Sequence, residues 1–221
     1  MTTYKIGGGW WQPWANTVAY YPLTSDANDY SGNWKNLTNY WATFGEYQWV
    51  ICAFINKRSG YIKWNIDTLP VWASPRTWNF WCYNNNETTQ QYEECYFFNG
   101  VEYVANQMVL FWIATDNKEF VSQWWSSPNW NITALRKQWF NACIVYNWTK
   151  FIYYRNWVNV WEWTYTINTQ WTEFRIWGPR TRDAWWDQFV GYMSNFILEN
   201  KGWTADEVSD YYNQTKANYW L

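Results

Sequence analysis

The chain has 221 residues, 48% of them hydrophobic, so it is long enough to bury one core and is expected to form a single domain. It carries 16 basic and 18 acidic side chains with a formal charge of -2, which gives no basic footprint for a phosphate backbone, so nucleic acid is not an expected partner. It has no histidine, which excludes Ser-His-Asp and Cys-His catalysis and removes the commonest zinc ligand.

The N-terminal segment differs in composition from the rest of the chain. Residues 1–15 are rich in Gly and Trp, lack the apolar run of a secretion signal, and are interpreted as a leader or linker. No stretch approaches the roughly 18 consecutive apolar residues of a membrane-spanning helix, so membrane insertion is not expected. The domain is predicted over residues 16–215, with residues 216–221 as a tail.

Short runs rich in aromatic and β-branched residues, bounded by Asn, Gly, Asp and Ser, predict β-strands along almost the whole chain. Amphipathic helical segments between these runs are nearly absent, which favours an antiparallel sandwich or barrel over βαβ units. In chain order, the clearest runs are residues 18–23, 50–55, 77–83, 108–114, 120–124, 140–146, 151–160, 172–176 and 189–199.

A single helical turn is predicted near the end of the chain. Thr204 and Glu207 have the spacing of a capping box, in which the hydroxyl accepts from the Glu207 amide and the carboxylate accepts from the Thr204 amide. Val208, Tyr211 and Tyr212 would then share one face of the helix.

The four cysteines, Cys52, Cys82, Cys95 and Cys143, show no C-x-x-C spacing. Because Cys82 and Cys143 fall inside predicted strands, we interpret the cysteines as small buried hydrophobic side chains. A disulfide that involves Cys82 or Cys95 is the alternative in an exported protein.

Tryptophan outnumbers glycine in this chain, 25 residues against 10. An all-β chain needs Gly in its tight turns, and Asn-Gly is the strongest hairpin signal. Here an Asn-Trp pair stands between strand-like runs, at Asn33-Trp34, Asn129-Trp130, Asn147-Trp148 and Asn156-Trp157. A bulky L-residue at the positive φ of such a turn costs about 1–2 kcal/mol relative to glycine.

Three interpretations of the excess remain open. In the first, these tryptophans stand in place of glycines, because the organism uses UGA as a glycine codon and the codon is translated here as tryptophan. The second is a set of flat rings for stacking on sugars, and the third is compositional drift or engineering without a single cause. We favour the first, since it explains both number and position, whereas the surroundings of Trp81, Trp139 and Trp203 suit a large ring.

Several segments follow one another in a recognisable order. Residues 18–23 precede Asp26 and Asp29, and the run at residues 77–81, which contains Trp81, is followed by the segments 139–146, 151–158 and 189–208. Together they resemble laminin-G-like domains of the concanavalin A-like lectin/glucanase superfamily over residues 16–215. The resemblance implies a jelly-roll sandwich of two antiparallel sheets. The chain departs from the family's usual glycines at Trp34, Trp148, Trp157 and Trp177.

The resemblance also implies a calcium site, because members of this superfamily often bind calcium. Hard cations prefer several oxygen ligands, and the loop between residues 26 and 33 supplies Asp26, Asp29 and Asn33. The alternative is a turn in which these side chains hydrogen-bond to nearby backbone amides.

Loops at the edge of the sandwich are the candidates for binding a glycan or another extracellular polymer. They offer amide, guanidinium and indole groups that could hold a carboxylate or a sugar hydroxyl. The predicted ligand-binding residues are Asn85, Trp124, Trp125, Arg180, Arg182 and Trp185. The alternative for each of them is a solvated loop.

A glycosidase is not expected from this sequence, although glucanases belong to the same superfamily. Their retaining chemistry needs two carboxylates about 5–5.5 Å apart, usually from a Glu-x-Asp-x-x-Glu strand, and no such strand is present. The sequence therefore predicts a non-catalytic module for glycan or extracellular protein recognition, in a surface or virion-associated protein. A purely structural jelly-roll of a fibre or envelope is the alternative.

Overall fold

The computed structural model describes residues 4–6, 9–11, 14–55, 60–64, 70–86, 93–101, 104–122, 132–170, 173–177 and 189–221. Over these ranges the chain folds as two antiparallel β-sheets packed face to face, with one C-terminal α-helix. The predicted all-β sandwich is confirmed.

Eight strands form the larger sheet, and their inner face packs on the smaller sheet. In spatial order they are β14 (Val158–Thr164), β13 (Lys150–Arg155), β12 (Trp139–Tyr146), β8 (Arg76–Asn84), β16 (Gly191–Glu199), β6 (Val50–Ile55) and β5 (Thr43–Tyr47), with β3 (Thr17–Tyr21) also paired to β16. The strands β8 and β12 lie at the centre of this sheet and are buried along their whole length.

Six strands form the smaller sheet, and a separate hairpin lies near the N-terminus. In spatial order the six are β11 (Glu119–Ser122), β10 (Met108–Ile113), β9 (Glu94–Gly100), β15 (Glu173–Ile176), β7 (Tyr61–Trp64) and β4 (Thr38–Tyr40). The separate hairpin pairs β1 (Tyr4–Ile6) with β2 (Gly9–Trp11).

The predicted strands differ from the observed ones in two respects. The run at residues 151–160 is a hairpin, because Asn156 and Trp157 form a turn between β13 and β14. Six strands do not appear among the predicted runs, although one of them, β9, is buried throughout: β1, β2, β4, β5, β7 and β9. Tertiary pairing thus makes strands of segments whose local pattern is weak.

The core lies between the two sheets and consists largely of aromatic rings. On β8, alternate side chains divide between the two faces, so Trp78 and Phe80 point inward whereas Trp81 points to the outer face. The inward rings meet partners from the opposite sheet, as in the stacked pair of Trp78 and Phe97 at 5.4 Å. These contacts fix the separation of the sheets.

The C-terminal helix α1 (Ala205–Thr215) covers the outer face of the eight-stranded sheet. The predicted capping box is confirmed, since the Thr204 hydroxyl accepts from the Glu207 amide and the Glu207 carboxylate accepts from the Thr204 amide. The helix continues past the predicted turn because Val208, Tyr211 and Tyr212 bury against the sheet.

Residues on both sides of the predicted domain boundaries pack against the domain. Trp14, in the predicted leader, lies with its ring centroid 4.7 Å from that of Trp203. Tyr219, in the predicted tail, belongs to a 3₁₀ turn (Lys216–Tyr219) and stacks on Trp81 with ring centroids 3.9 Å apart. These rings extend the hydrophobic cluster beneath α1.

Two buried ion pairs connect the sheets. Arg136, in the loop before β12, contacts Glu94 of β9 at 2.6 Å. Arg155 of β13 contacts Glu119 of β11 at 2.7 Å, and the Tyr153 hydroxyl donates to the same carboxylate oxygen. Burial raises the pKa of Glu119 to about 7, although the charge of Arg155 and the hydrogen bond from Tyr153 act to lower it.

All four cysteines are buried free thiols, as the first interpretation predicts. Among the described residues, no helix has the length and hydropathy needed to cross a membrane.

Candidate functional site

Trp124, Trp125, Arg180, Arg182 and Trp185 lie outside the described residues and stay predictions.

Asn85, the remaining predicted ligand-binding residue, follows the end of β8. Its amide donates to the Val190 carbonyl at 2.9 Å, while its carbonyl and side-chain oxygens accept from the Lys137 ammonium at 2.6 and 3.1 Å. The side chain therefore helps to hold the loop before β12, and its role in ligand binding stays a prediction.

The loop predicted to bind calcium is organised by hydrogen bonds to its carboxylates. Asp29 accepts from the amides of Tyr20, Ser31 and Lys35 and from the Ser31 hydroxyl, at distances of 2.8–3.0 Å. A carboxylate has about four lone-pair positions, so these donors occupy all of them. A cation at Asp29 would have to displace a donor.

Asp26 and Asn33 are held in the same way. Asp26 accepts from the amide and side chain of Asn28 and from the Tyr30 hydroxyl. Asn33 uses its side-chain nitrogen to donate to the Thr17 and Val18 carbonyls. Among the described residues, no group of three or more acidic or thiol side chains is arranged to hold a metal ion. The residues do not fit a calcium site in this arrangement, and the calcium prediction remains untested.

The calcium prediction can be tested by thermal unfolding. Because the carboxylate of Asp29 is already saturated with donors, we expect the same melting midpoint in excess calcium and in excess chelator. A ligand at about 100 times its Kd would stabilise the folded state by about 2.7 kcal/mol and raise the midpoint visibly. A rise with calcium that disappears in Asp29→Asn would show that the loop rearranges to bind the ion.

A pocket of about 230 Å³ opens on the outer face of the eight-stranded sheet, beside its edge strand. It is lined by Thr43, Phe44, Gly45, Glu46, Cys52, Phe54 and Tyr192, and we call it the Tyr192 pocket. The lining residues come from three adjacent strands, β5, β6 and β16, whose pairing is antiparallel and in register. A hydrogen-bonded sheet thus holds the pocket in place.

Aromatic rings form one wall of the Tyr192 pocket. The ring of Tyr192 lies between those of Phe54, at 4.5 Å, and Tyr47, at 3.8 Å, and both pairs are stacked. The edge of Tyr83 contacts the ring of Tyr47 with centroids 5.0 Å apart. Each ring of the column thus packs on at least one neighbouring ring.

The polar side chains among the lining residues are those of Thr43, Glu46 and Cys52. Thr43 lies on the same face of β5 as Gly45 and brings a hydroxyl, whereas Glu46 alternates to the opposite face with its partner Ile51. Cys52 is buried, and burial raises the pKa of its thiol to about 12, so it lies here as a neutral side chain. At Gly45, an added Cβ would meet no heavy atom within 4 Å, so this strand position faces open space.

The sequence reasoning missed the Tyr192 pocket because it did not recognise β5. The segment Thr43–Tyr47 is short and interrupted by Gly45, which weakens a strand pattern. A signal was nevertheless present: Gln48 and Trp49 separate this segment from the predicted strand at residues 50–55, as a two-residue hairpin turn would.

Three glutamates of the two sheets form ion pairs away from the Tyr192 pocket. Glu94 and Glu119 are each ion-paired to an arginine in the interior of the sandwich. Glu162, on the exposed strand β14, contacts Lys150 at 2.7 Å and accepts from the Asn159 side chain. None of these three carboxylates lines the Tyr192 pocket.

No protein-family model matches the sequence, and a comparison with curated proteins finds no match. Solved structures do match. One of them is domain 4 of AbnA, a GH43 extracellular arabinanase from Geobacillus stearothermophilus, in complex with arabinotriose. The TM-score is 0.70 at 16% sequence identity, and the match covers 88% of this chain and 97% of that domain. The binding domain of Paraclostridial Mosquitocidal Protein 1 gives a TM-score of 0.70 at 15% identity, over 90% of this chain and 52% of that one.

The botulinum neurotoxin serotype D binding domain is similar in the same way. Its TM-score is 0.68 at 12% identity, over 90% of this chain and 50% of that one. This chain therefore spans about half the length of the two toxin binding domains and nearly the whole of the arabinanase domain. At these identities the likeness shows a shared β-sandwich fold.

Proposed function

We propose that this chain is a non-catalytic module that binds a glycan through the Tyr192 pocket. The observation that carries the proposal is the stacked column of Phe54, Tyr192 and Tyr47 beside an open pocket whose lining also brings the Thr43 hydroxyl. Sugar rings have apolar C–H faces that pack on aromatic rings, and their hydroxyls hydrogen-bond to polar side chains. The pocket offers both kinds of contact together.

The structural neighbours support a binding role. The arabinanase domain was solved with arabinotriose, and the two toxin structures are binding domains. Since the arabinanase is extracellular, we propose an extracellular or cell-surface location for this chain as well, with a glycan or a glycosylated protein as its partner.

The same geometry supports binding without hydrolysis. Glycosidases place two carboxylates on either side of the scissile bond, about 5–5.5 Å apart in retaining and about 6.5–9.5 Å apart in inverting enzymes. Glu46 is the one carboxylate among the described lining residues of the Tyr192 pocket. It alternates to the opposite face of β5, and a single carboxylate could not supply both the acid and the nucleophile or base.

The proposal is tested with a glycan array, followed by titration of the best glycan into the wild type and into Gly45→Leu. An added Cβ at Gly45 meets no heavy atom within 4 Å, so we expect the leucine side chain to extend into the open space of the pocket. We expect the affinity to fall at least about tenfold, or about 1.4 kcal/mol, while the melting midpoint stays close to that of the wild type. Tyr40→Ala is the control, since it removes an exposed ring from the other sheet.

Two results would contradict the proposal. Binding that survives in Gly45→Leu would place the glycan outside the Tyr192 pocket. Silence of the wild type across the whole array would favour the alternative, a structural jelly-roll without a ligand.

A further inference from the structure

The tryptophans of the described residues fall into two groups that differ in backbone conformation. Eight have φ between 57° and 75°, in the left-handed region that favours glycine. They are Trp34, Trp41, Trp49, Trp72, Trp148, Trp157, Trp177 and Trp220. The four tryptophans that the sequence analysis placed at family glycine positions are all in this group, whereas Trp81, Trp139 and Trp203 are not.

Exposure separates the same two groups. Seven of the eight left-handed tryptophans are 50–86% exposed, and Trp177 is the buried exception. Trp78, Trp81, Trp139 and Trp203 are at most 3% exposed. Every exposed tryptophan among the described residues is therefore left-handed. Packing does not explain this, because it would bury a large apolar ring rather than expose it.

The turns at these positions are ones that glycine normally occupies. Two of them are hairpin turns: Gln48-Trp49 joins β5 to β6, and Asn156-Trp157 joins β13 to β14. In each turn φ is 49° at the first residue and 65° at the second, and a two-residue type I′ hairpin requires positive φ at both. Trp220 is the left-handed residue after the last helical turn, and its amide donates to the Lys216 carbonyl. This is the position where helices usually end in glycine.

A sugar-stacking surface does not explain the exposed rings. Trp49 lies beside β5 and Trp157 beside β14, and these are the opposite edge strands of the eight-stranded sheet. A platform needs rings on one face within reach of one ligand. The rings instead lie at both edges of the sheet, at positions that share a left-handed backbone.

We infer that the natural residue at these eight positions is glycine, encoded by a UGA codon that has been read here as tryptophan. One reassigned codon accounts for the excess of tryptophan, the scarcity of glycine and the division into two groups, because tryptophans encoded by UGG remain in the core. The inference is independent of the proposed ligand. It removes the exposed indole rings from consideration as binding groups and leaves the Tyr192 pocket unchanged.

Thermal unfolding of the recombinant chain tests the inference. Trp157→Gly is expected to raise the melting midpoint by roughly 3–6 °C, because glycine adopts the turn without strain. Trp157→Ala keeps a Cβ, so it should recover little of this gain. Combining glycine at the seven exposed positions should raise the midpoint by at least about 15 °C. Trp177 is not replaced in this variant, since the loss of its buried ring would offset the gain from relieving the backbone strain.

Trp163→Gly is the matched control, because Trp163 lies within β14 and is not left-handed. It should lower the melting midpoint. Equal or lower midpoints for the seven-glycine chain than for the parent would overturn the inference.

Two measurements do not depend on whether the parent folds. Peptide masses of the protein from its natural source should show glycine at residues 34, 148 and 157 and tryptophan at residues 81 and 139. The messenger should carry UGA at all eight positions and UGG at residues 81, 139 and 203. UGG at the eight positions would refute the inference.

Discussion

Replacing Arg155 with methionine is expected to lower the free energy of unfolding by about 3–5 kcal/mol. The substitution leaves the carboxylate of Glu119, which has no solvent exposure, without its cation in the interior of the sandwich. It also removes a hydrogen bond to the Thr133 carbonyl. Urea-induced unfolding, followed by tryptophan fluorescence, measures the loss.

The loss should grow with pH. The pKa of Glu119 is raised by burial from 4.5 to about 7, so the folded chain holds this proton more tightly than the unfolded chain. The carboxyl therefore contributes stability below about pH 4.5, and this contribution is lost as the pH rises through about 7. Without Arg155 the pKa rises further, so Arg155→Met should be less destabilised at about pH 5 than at about pH 8.

Two further variants distinguish the effect of breaking the buried ion pair from the general effect of removing a charge. Lys150→Met breaks the pair with Glu162, whose side chains are 39% and 42% exposed, and should cost at most about 1 kcal/mol. Glu119→Gln combined with Arg155→Met should recover much of the loss, since no unpaired charge is left inside. A loss for Arg155→Met that is equal at both pH values would contradict the role assigned to Glu119.

Replacing Trp81 with alanine is expected to cost about 3–5 kcal/mol, because it leaves a cavity beneath helix α1. The Trp81 ring is fully buried, stacks on Tyr219 and donates from Nε1 to the Thr215 hydroxyl at 3.1 Å. Faster amide hydrogen exchange in α1 should accompany the lower stability, since the helix loses the ring that stacks on Tyr212 and bonds to Thr215.

Trp34→Ala is the matched control for Trp81→Ala. Trp34 is 86% exposed, and alanine keeps the same left-handed backbone, so the free energy of unfolding should change by no more than about 0.5 kcal/mol. Similar losses for both variants would contradict the division of the tryptophans into core and turn residues.

The strands that the sequence predicted well are those with strong local patterns. The run at residues 50–55 coincides with β6, and that at 140–146 falls within β12, because β-branched and aromatic residues dominate both. Strand β5 was missed because Gly45 and the exposed Glu46 interrupt its pattern. Its pairing with β6 decides its conformation, and that pairing is a tertiary contact.

The candidate site was less predictable than the fold. A loop rich in aspartate and asparagine indicates oxygen ligands, yet the same groups are the usual acceptors for turn amides, and Asp29 serves the second role. The Tyr192 pocket joins residues 43–46 to Tyr192, which are far apart in the chain. No local spacing brings them together, because the order of β5, β6 and β16 in the sheet does so.

The sequence alone determined the all-β class, the capping box that begins α1 and the turn at Asn156-Trp157, because each depends on residues that are neighbours in the chain. The tertiary structure decided which strands pair, which arginine neutralises Glu119 and where the aromatic rings meet to form a pocket. Those features depend on side chains separated by tens of residues, and their energies appear only when the two sheets close on each other.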